Sequence, residues 1–166
     1  MDGAIALAIV AAMAGLAACT AAAPTPTPTA SSIEVTGVDY AFQGLPAEVT
    51  AGSTLTFRNG GAEVHEMVVM RRNDDVTKPF MAILGEGEEA GRTQVTVLGS
   101  AVAPPGQTAQ AGVTVGQAGD YALVCFIPVG TLPGGSGGSG GPGASGAPGG
   151  PPHFVQGMIT EFTVTE

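Results

Sequence analysis

At 166 residues, with an apolar N-terminal stretch and a long Gly/Pro/Ser tract to set aside, the chain has room for one domain of roughly 100 residues and not for two. Five Lys and Arg against 14 Asp and Glu give a formal charge of -9, which excludes a nucleic-acid binder with clustered cations and suits solubility and basic partners. Trp is absent, Lys and Leu are sparse, and Val, Thr and Gly are plentiful, so strands are favoured over helices.

Residues 4–18, AIALAIVAAMAGLAA, form an apolar run of signal-peptide length, too short for a membrane-spanning helix of about 20 residues. The run ends in Leu16-Ala17-Ala18-Cys19, which resembles the bacterial lipobox, whose cysteine is acylated and becomes the new N-terminus. Residues 1–18 are therefore expected to be a signal peptide and Cys19 a lipidation site. Residues 20–32, TAAAPTPTPTASS, offer nothing larger than Ala, Thr and Pro to a core; extended, at about 3.1 Å per residue, they would hold a domain up to ~40 Å from a membrane. Residues 19–32 are thus expected to be a lipidated tether.

The domain is expected over residues 33–166. IEVTGVDY, STLTFRN, VHEMVVM, TQVTVL, AGVTV, DYALVCF and ITEFTVT carry the β-branched and aromatic enrichment of strands, several with period-two alternation. Turn signals separate them, including Gly44-Leu45-Pro46, Ala51-Gly52, Asn59-Gly60-Gly61, Pro104-Pro105-Gly106 and Ala118-Gly119-Asp120. Short strands that each bury one face must share a core between two sheets, which predicts an all-β Greek-key sandwich. The exception is residues 75–89, where Phe80, Ile83 and Leu84 have helical spacing and predict one short helix. Residues 133–152 contain only Gly, Pro, Ser and Ala, and are expected to be a disordered, coreless loop insertion. They are no phosphate loop, because the Lys-Ser/Thr ending and the following helix are missing.

The chemistry concentrates in few residues. Beyond Cys19 the chain has one cysteine, Cys125, at the end of DYALVCF; its two histidines are His65 and His153; and Met158 follows His153 by five positions. Taken singly, a strand cysteine is most often a small buried hydrophobe and each histidine an ordinary satisfied side chain. Together, one thiolate, two imidazoles and one weak thioether are the donor set of a type 1 copper centre, a trigonal plane of two histidines and a cysteine capped by a distant axial methionine. A closed zinc site would need a stronger fourth donor than a thioether, so copper fits better. Met67 and Met70, in VHEMVVM, are expected to pack in the core.

Tyr121-Ala122-Leu123-Val124-Cys125, the His153-x4-Met158 spacing with Gly157 before the methionine, the ITEFTV strand after it, and Asn59-Gly60-Gly61 with His65 upstream resemble the cupredoxin superfamily, in particular plastocyanin/azurin-like blue copper proteins in their bacterial lipoprotein form. The resemblance covers roughly residues 33–166. It implies one copper ion on His65, Cys125, His153 and Met158, single-electron transfer rather than enzymatic catalysis, a redox partner protein, no nucleic acid, a monomer, and an extracytoplasmic position on the bacterial cell membrane through the lipid on Cys19. Two other functions remain open on the residues: copper delivery or storage, and a metal-free interaction domain of the same fold. Two departures stand out. The family usually places the cysteine and the second histidine a few residues apart, whereas here 27 residues intervene; closing the longer loop costs roughly 2 kcal/mol. The family also commonly has Asn after its first histidine, where this chain has Glu66, a carboxylate that accepts hydrogen bonds but donates none.

Overall fold

The computed structural model describes residues 29–134 and 149–166. The expected signal peptide, Cys19 and most of the tether lie outside these residues, as does the middle of the Gly/Pro-rich tract. Among the described residues no helix is long and apolar enough to cross a membrane.

Among the described residues nine strands form two sheets. β1 (Ser32–Val38), β2 (Ala41–Gln43), β4 (Ser53–Asn59) and β7 (Val113–Val115) make a four-stranded sheet in the order β2-β1-β4-β7. β3 (Glu48–Thr50), β5 (His65–Arg72), β6 (Val95–Ala103), β8 (Gly119–Val124) and β9 (Ile159–Thr165) make a five-stranded sheet in the order β3-β9-β8-β5-β6. Neighbours are mostly non-consecutive, so the chain crosses repeatedly between sheets, as a Greek-key sandwich requires. β1 runs parallel to β4 and β3 parallel to β9; the other pairings are antiparallel.

All seven expected strands form. The two that sequence reading missed, β2 and β3, have three residues each, too few to show alternation. The expected single helix is two, α1 (Phe80–Gly85) and α2 (Glu88–Arg92), separated at Gly87, whose φ of 92° is left-handed. β1 begins one residue before the expected domain start, and Ser31 joins it: its N–H donates to Ser53 Oγ at 3.0 Å and its carbonyl accepts from Thr54 N–H.

The period of two decides which side chains reach the site. Along β8 and its continuation, Tyr121, Leu123, Cys125 and Ile127 face the four-stranded sheet, in one core with Leu55, Phe57, Met67 and Val69. The alternate residues Ala122, Val124 and Phe126 face outward into a second core with Val68, Met70, Phe80 and Ile83, roofed by the helices. β5 and β8 are therefore buried on both faces, the reason VHEMVVM and ALVCF read as nearly unbroken apolar runs. Met67 and Met70 are both fully buried in these cores, as expected.

The ligand-bearing ends are tied by backbone bonds on either side of the Gly/Pro-rich tract and at its final residues. His153 N–H donates to Ile127 O and Phe154 N–H to Cys125 O, both at 2.9 Å, and Pro128 bridges Pro152. Val129 N–H donates to Pro151 O and Gly150 N–H to Val129 O, which closes the neck of the insertion. Residues 150–152, expected to be part of a featureless excursion, are thus structural. Replacing residues 135–148 by a four-residue Gly/Ser linker, which spares that neck, should change stability by less than about 1 kcal/mol. Urea denaturation checks this, and a larger loss would mean that the tract contributes to the fold.

Candidate metal centre

His65 opens β5, Cys125 follows the last residue of β8, and His153 starts a 3-10 turn (His153–Gln156) that leads into β9. Because β8 lies between β5 and β9, these three segments converge at one end of the sandwich. The potential ligand atoms of His65, Cys125 and His153 all lie within 4.8 Å of one another, and all three residues are fully buried. They are three of the four residues that the sequence points to as ligands.

The rings face one another through Nδ1, with 3.0 Å between the two Nδ1 atoms and 3.3 Å from His153 Nδ1 to Cys125 Sγ. Each Nε2 points the other way, to a carboxylate: His65 Nε2 lies 2.6 Å from Asp39 Oδ1, and His153 Nε2 lies 3.0 Å from Glu63 Oε2. A carboxylate accepts, so each Nε2 is assigned the proton and each Nδ1 presents a lone pair. Two such lone pairs facing each other at 3.0 Å beside a thiol sulfur repel unless a cation or a proton is shared between them. Imidazole nitrogens and thiolate hold borderline and soft metals at about 2.0–2.3 Å, and the observed spacings leave room for one ion between them. The donor set fits copper, and His65, Cys125 and His153 form a candidate type 1 copper site.

Met158 belongs to the same buried cluster as Cys125. Its backbone joins both ligand segments: Met158 N–H donates to His153 O at 3.0 Å, and its carbonyl accepts from Cys125 N–H at 3.2 Å. Gly157 between them has a φ of 111°, which only glycine adopts without strain, and this reversal sends Met158 back into the core. Phe57 and the Met158 methyl crowd Gly37, where an added Cβ would come within 2.8 Å and 3.1 Å of them.

Glu66 reconnects the two ligand loops in a way its side-chain type did not suggest. Its backbone N–H donates to Cys125 Sγ at 3.4 Å and its carboxyl accepts from Phe126 N–H at 3.1 Å, so it bridges β5 and the cysteine strand through one donor and one acceptor. Burial pushes the Glu66 carboxyl up to about 7, only partly offset by the Phe126 N–H. Burial likewise pushes the Cys125 thiol up to about 12, so without a cation the sulfur keeps its proton. That argues against a nucleophilic cysteine, which needs a depressed value. Burial lowers His153, which favours the neutral imidazole a metal requires.

Three residues around the site were not singled out in the sequence: Asp39, Tyr40 and Glu63. Asp39 and Tyr40 follow β1, and only the parallel β1–β4 pairing, with Gly37 opposite Asn59, brings that turn beside the loop before His65. The Asn59-Gly60-Gly61 turn itself was noticed. Asn59 Nδ2 donates to Glu63 O and Ala103 O, both at 2.8 Å, and its Oδ1 accepts from Gly61 N–H.

No protein-family model matches the sequence, and no curated protein does. Among solved structures the chain is similar to Na-dithionite-reduced auracyanin from the photosynthetic bacterium Roseiflexus castenholzii, at 20% identity and a TM-score of 0.47 over 84% of this chain and 100% of that one. It is also similar to auracyanin B, at 16% identity and a TM-score of 0.42 over 86% and 94% of the two chains. A third is auracyanin A, a "blue" copper protein from the green thermophilic photosynthetic bacterium Chloroflexus aurantiacus, at 21% identity and a TM-score of 0.41 over 81% and 98%. Likeness this distant transfers no residue roles; those given above come from the geometry of this chain.

The buried Glu66 makes stability depend on pH. With its carboxyl at about 7 in the folded protein against a usual 4.5, the unfolded chain releases this proton first as pH rises. Its contribution to stability is therefore complete below about 4.5 and lost by about 7, a loss on the order of 3 kcal/mol. Glu66→Gln should remove this fall. Urea denaturation of both metal-free proteins at pH 5 and pH 8 checks it: the wild-type-minus-variant difference should shrink toward pH 8, and a constant difference would mean that Glu66 titrates normally.

Proposed function

We propose that the chain is a blue copper protein of the cupredoxin type that carries single electrons through one type 1 copper ion held by His65, Cys125, His153 and Met158. The observation that carries this reading is the convergence of two imidazole Nδ1 atoms and one thiol sulfur, all fully buried, with their hydrogen-bonded supports. Copper would supply a one-electron couple. The chain's own part is to hold three donors in a packed interior where they relax little between oxidation states, and to exclude water and outside ligands. Cys125 would serve as thiolate, its proton released on metal uptake, so uptake should strengthen as pH rises. Met158, buried beside Cys125 and bonded through its backbone to both ligand segments, is assigned the axial position. Burial of all three donors favours an electron carrier over a delivery protein, whose ligands must be open to exchange.

The experiment is titration of the purified protein with one equivalent of Cu(II), followed in the visible. Wild type should develop an intense thiolate-to-copper band. Cys125→Ser should lack it, since a hydroxyl supplies no such transition, and Met158→Leu should keep it with a raised reduction potential in voltammetry, because a thioether supports the oxidised ion more than the reduced one. A wild-type protein that stays colourless contradicts the reading.

The lipobox-like Leu16-Ala17-Ala18-Cys19 and the Pro/Thr stretch after it support a lipid-anchored, extracytoplasmic carrier that exchanges electrons with a partner protein. The net charge of -9 favours a partner with a basic docking face. In bacterial cells Cys19→Ala should move the protein from the membrane fraction to the soluble fraction, and unchanged retention would remove the anchor.

A further inference from the structure

We infer that Glu63 and Asp39 are positioning residues for the two imidazoles: each carboxylate holds one ring by its Nε2–H, which commits both Nδ1 atoms to the same point and shuts the ring edges off from water. This rests on the copper reading above and deepens it.

Glu63 is the more connected of the two. Its Oε2 accepts from His153 Nε2 at 3.0 Å and from Gly130 N–H at 2.6 Å, and its Oε1 accepts from the Tyr40 hydroxyl at 2.8 Å. One side chain thus fastens the second histidine to the β1–β2 turn and to the neck of the insertion. The Tyr40 ring lies over His153 with centroids 4.8 Å apart, and the His153 side chain has no exposed surface. Asp39 does the same for the first histidine, with Oδ1 on His65 Nε2 at 2.6 Å and Oδ2 accepting from Ala62 N–H at 2.9 Å.

Gly61 is an independent sign that the Asp39–His65 contact is built in. A Cβ there would fall 2.3 Å from Asp39 Oδ1 and 2.6 Å from His65 Nε2, inside the hydrogen bond itself. Its φ is not among the positive ones, so glycine is needed for room rather than for backbone freedom.

Surface ion pairs usually contribute little, and Lys78–Glu86 and Arg92–Glu88 are of that kind. Asp39 and Glu63 differ in pairing with fully buried rings. Asp39 also accepts from Ala62 N–H, and Glu63 from the Tyr40 hydroxyl and Gly130 N–H, so each carboxylate is held in place where it meets its ring. A ring turned over about its Cβ–Cγ bond would set Cε1–H where Nε2–H now meets the carboxylate and Cδ2–H where Nδ1 now faces the shared point, losing both contacts. The carboxylates therefore select one of two ring orientations, and they make each imidazole a more basic ligand.

The test uses the full chain, 15N-labelled and loaded with Cu(I), which is diamagnetic. Imidazole correlation spectra should show both rings protonated at Nε2, with both N–H protons exchanging slowly with water. Glu63→Ala should lose the slow His153 N–H while keeping that of His65, and should bind Cu(I) about 10-fold to 100-fold more weakly. Glu63→Gln, whose amide oxygen can still accept, should restore the slow His153 N–H. Gly61→Ala leaves both carboxylates in the chain but displaces Asp39, and should lose only the His65 signal. Glu86→Ala, far from the site, should change neither. Wild-type rings protonated at Nδ1, or Nε2–H protons exchanging as fast as those of free imidazole, overturn the inference even if a variant fails to fold, as does a folded Glu63→Ala protein with both signals and unchanged affinity. A wild-type chain that takes up no Cu(I) overturns the copper reading, and this inference with it; the other failures leave the copper reading standing.

Discussion

The rest of the structure depends on one constraint: two imidazoles and a thiol are buried against one another in a core that offers them almost nothing else. Polar groups taken out of water must find partners, and here each ring does so twice, outward through Nε2 to a carboxylate and inward through Nδ1 to the shared point. Among the described residues no buried side-chain nitrogen or oxygen is left without a hydrogen-bond partner. The inward contacts are the ones that make sense only with a shared cation or proton. The sandwich converts that local requirement into an architecture: β8 runs between β5 and β9, and its inward-facing Tyr121, Leu123 and Cys125 end at the place where both histidines arrive.

The supports of the site are spread widely along the chain. Asp39 comes from the turn after β1, Glu63 from the loop before β5, Gly130 from the neck of the insertion, and Glu66 from within β5. The metal end is thereby laced to both sheets. The Lys and Arg ion pairs gather elsewhere: Arg71 and Arg72 lie at the other end of β5 from His65, about 20 Å away at 3.3 Å per residue. With so much of the first histidine's environment fixed by β1 and β4, a long insertion between Cys125 and His153 is tolerated, because Val129, Gly150 and Pro151 close its neck before it reaches the ligands.

How far the sequence foretold this follows from the range of each interaction. Long strands with period-two patterns were legible, and so was the donor set, because the residues that matter are rare types in this chain: one cysteine outside the N-terminal segment and two histidines. The short strands β2 and β3 were not, since three residues carry no periodicity. Glu88-Glu89 ahead of Arg92 was the helix-terminus signal that could have divided the expected single helix in two. Asp39 and Glu63 were invisible as site residues for a different reason. Acidic residues are common here, and what singles these two out is the parallel β1–β4 register and the folding of the pre-β5 loop, both non-local. Glu66 was noticed as a departure, but its partners, Cys125 and Phe126, lie some 60 residues away, so only the fold reveals that its backbone supplies the missing donor.

Copper K-edge X-ray absorption of the Cu(I)- and Cu(II)-loaded protein tests the central claim most directly, because it reads the donor atoms rather than their consequences. The account predicts two nitrogen scatterers at about 2.0 Å and one sulfur at about 2.2–2.3 Å in both oxidation states, with little change between them. A shell of nitrogen and oxygen alone, or a sulfur lost on oxidation, would contradict it.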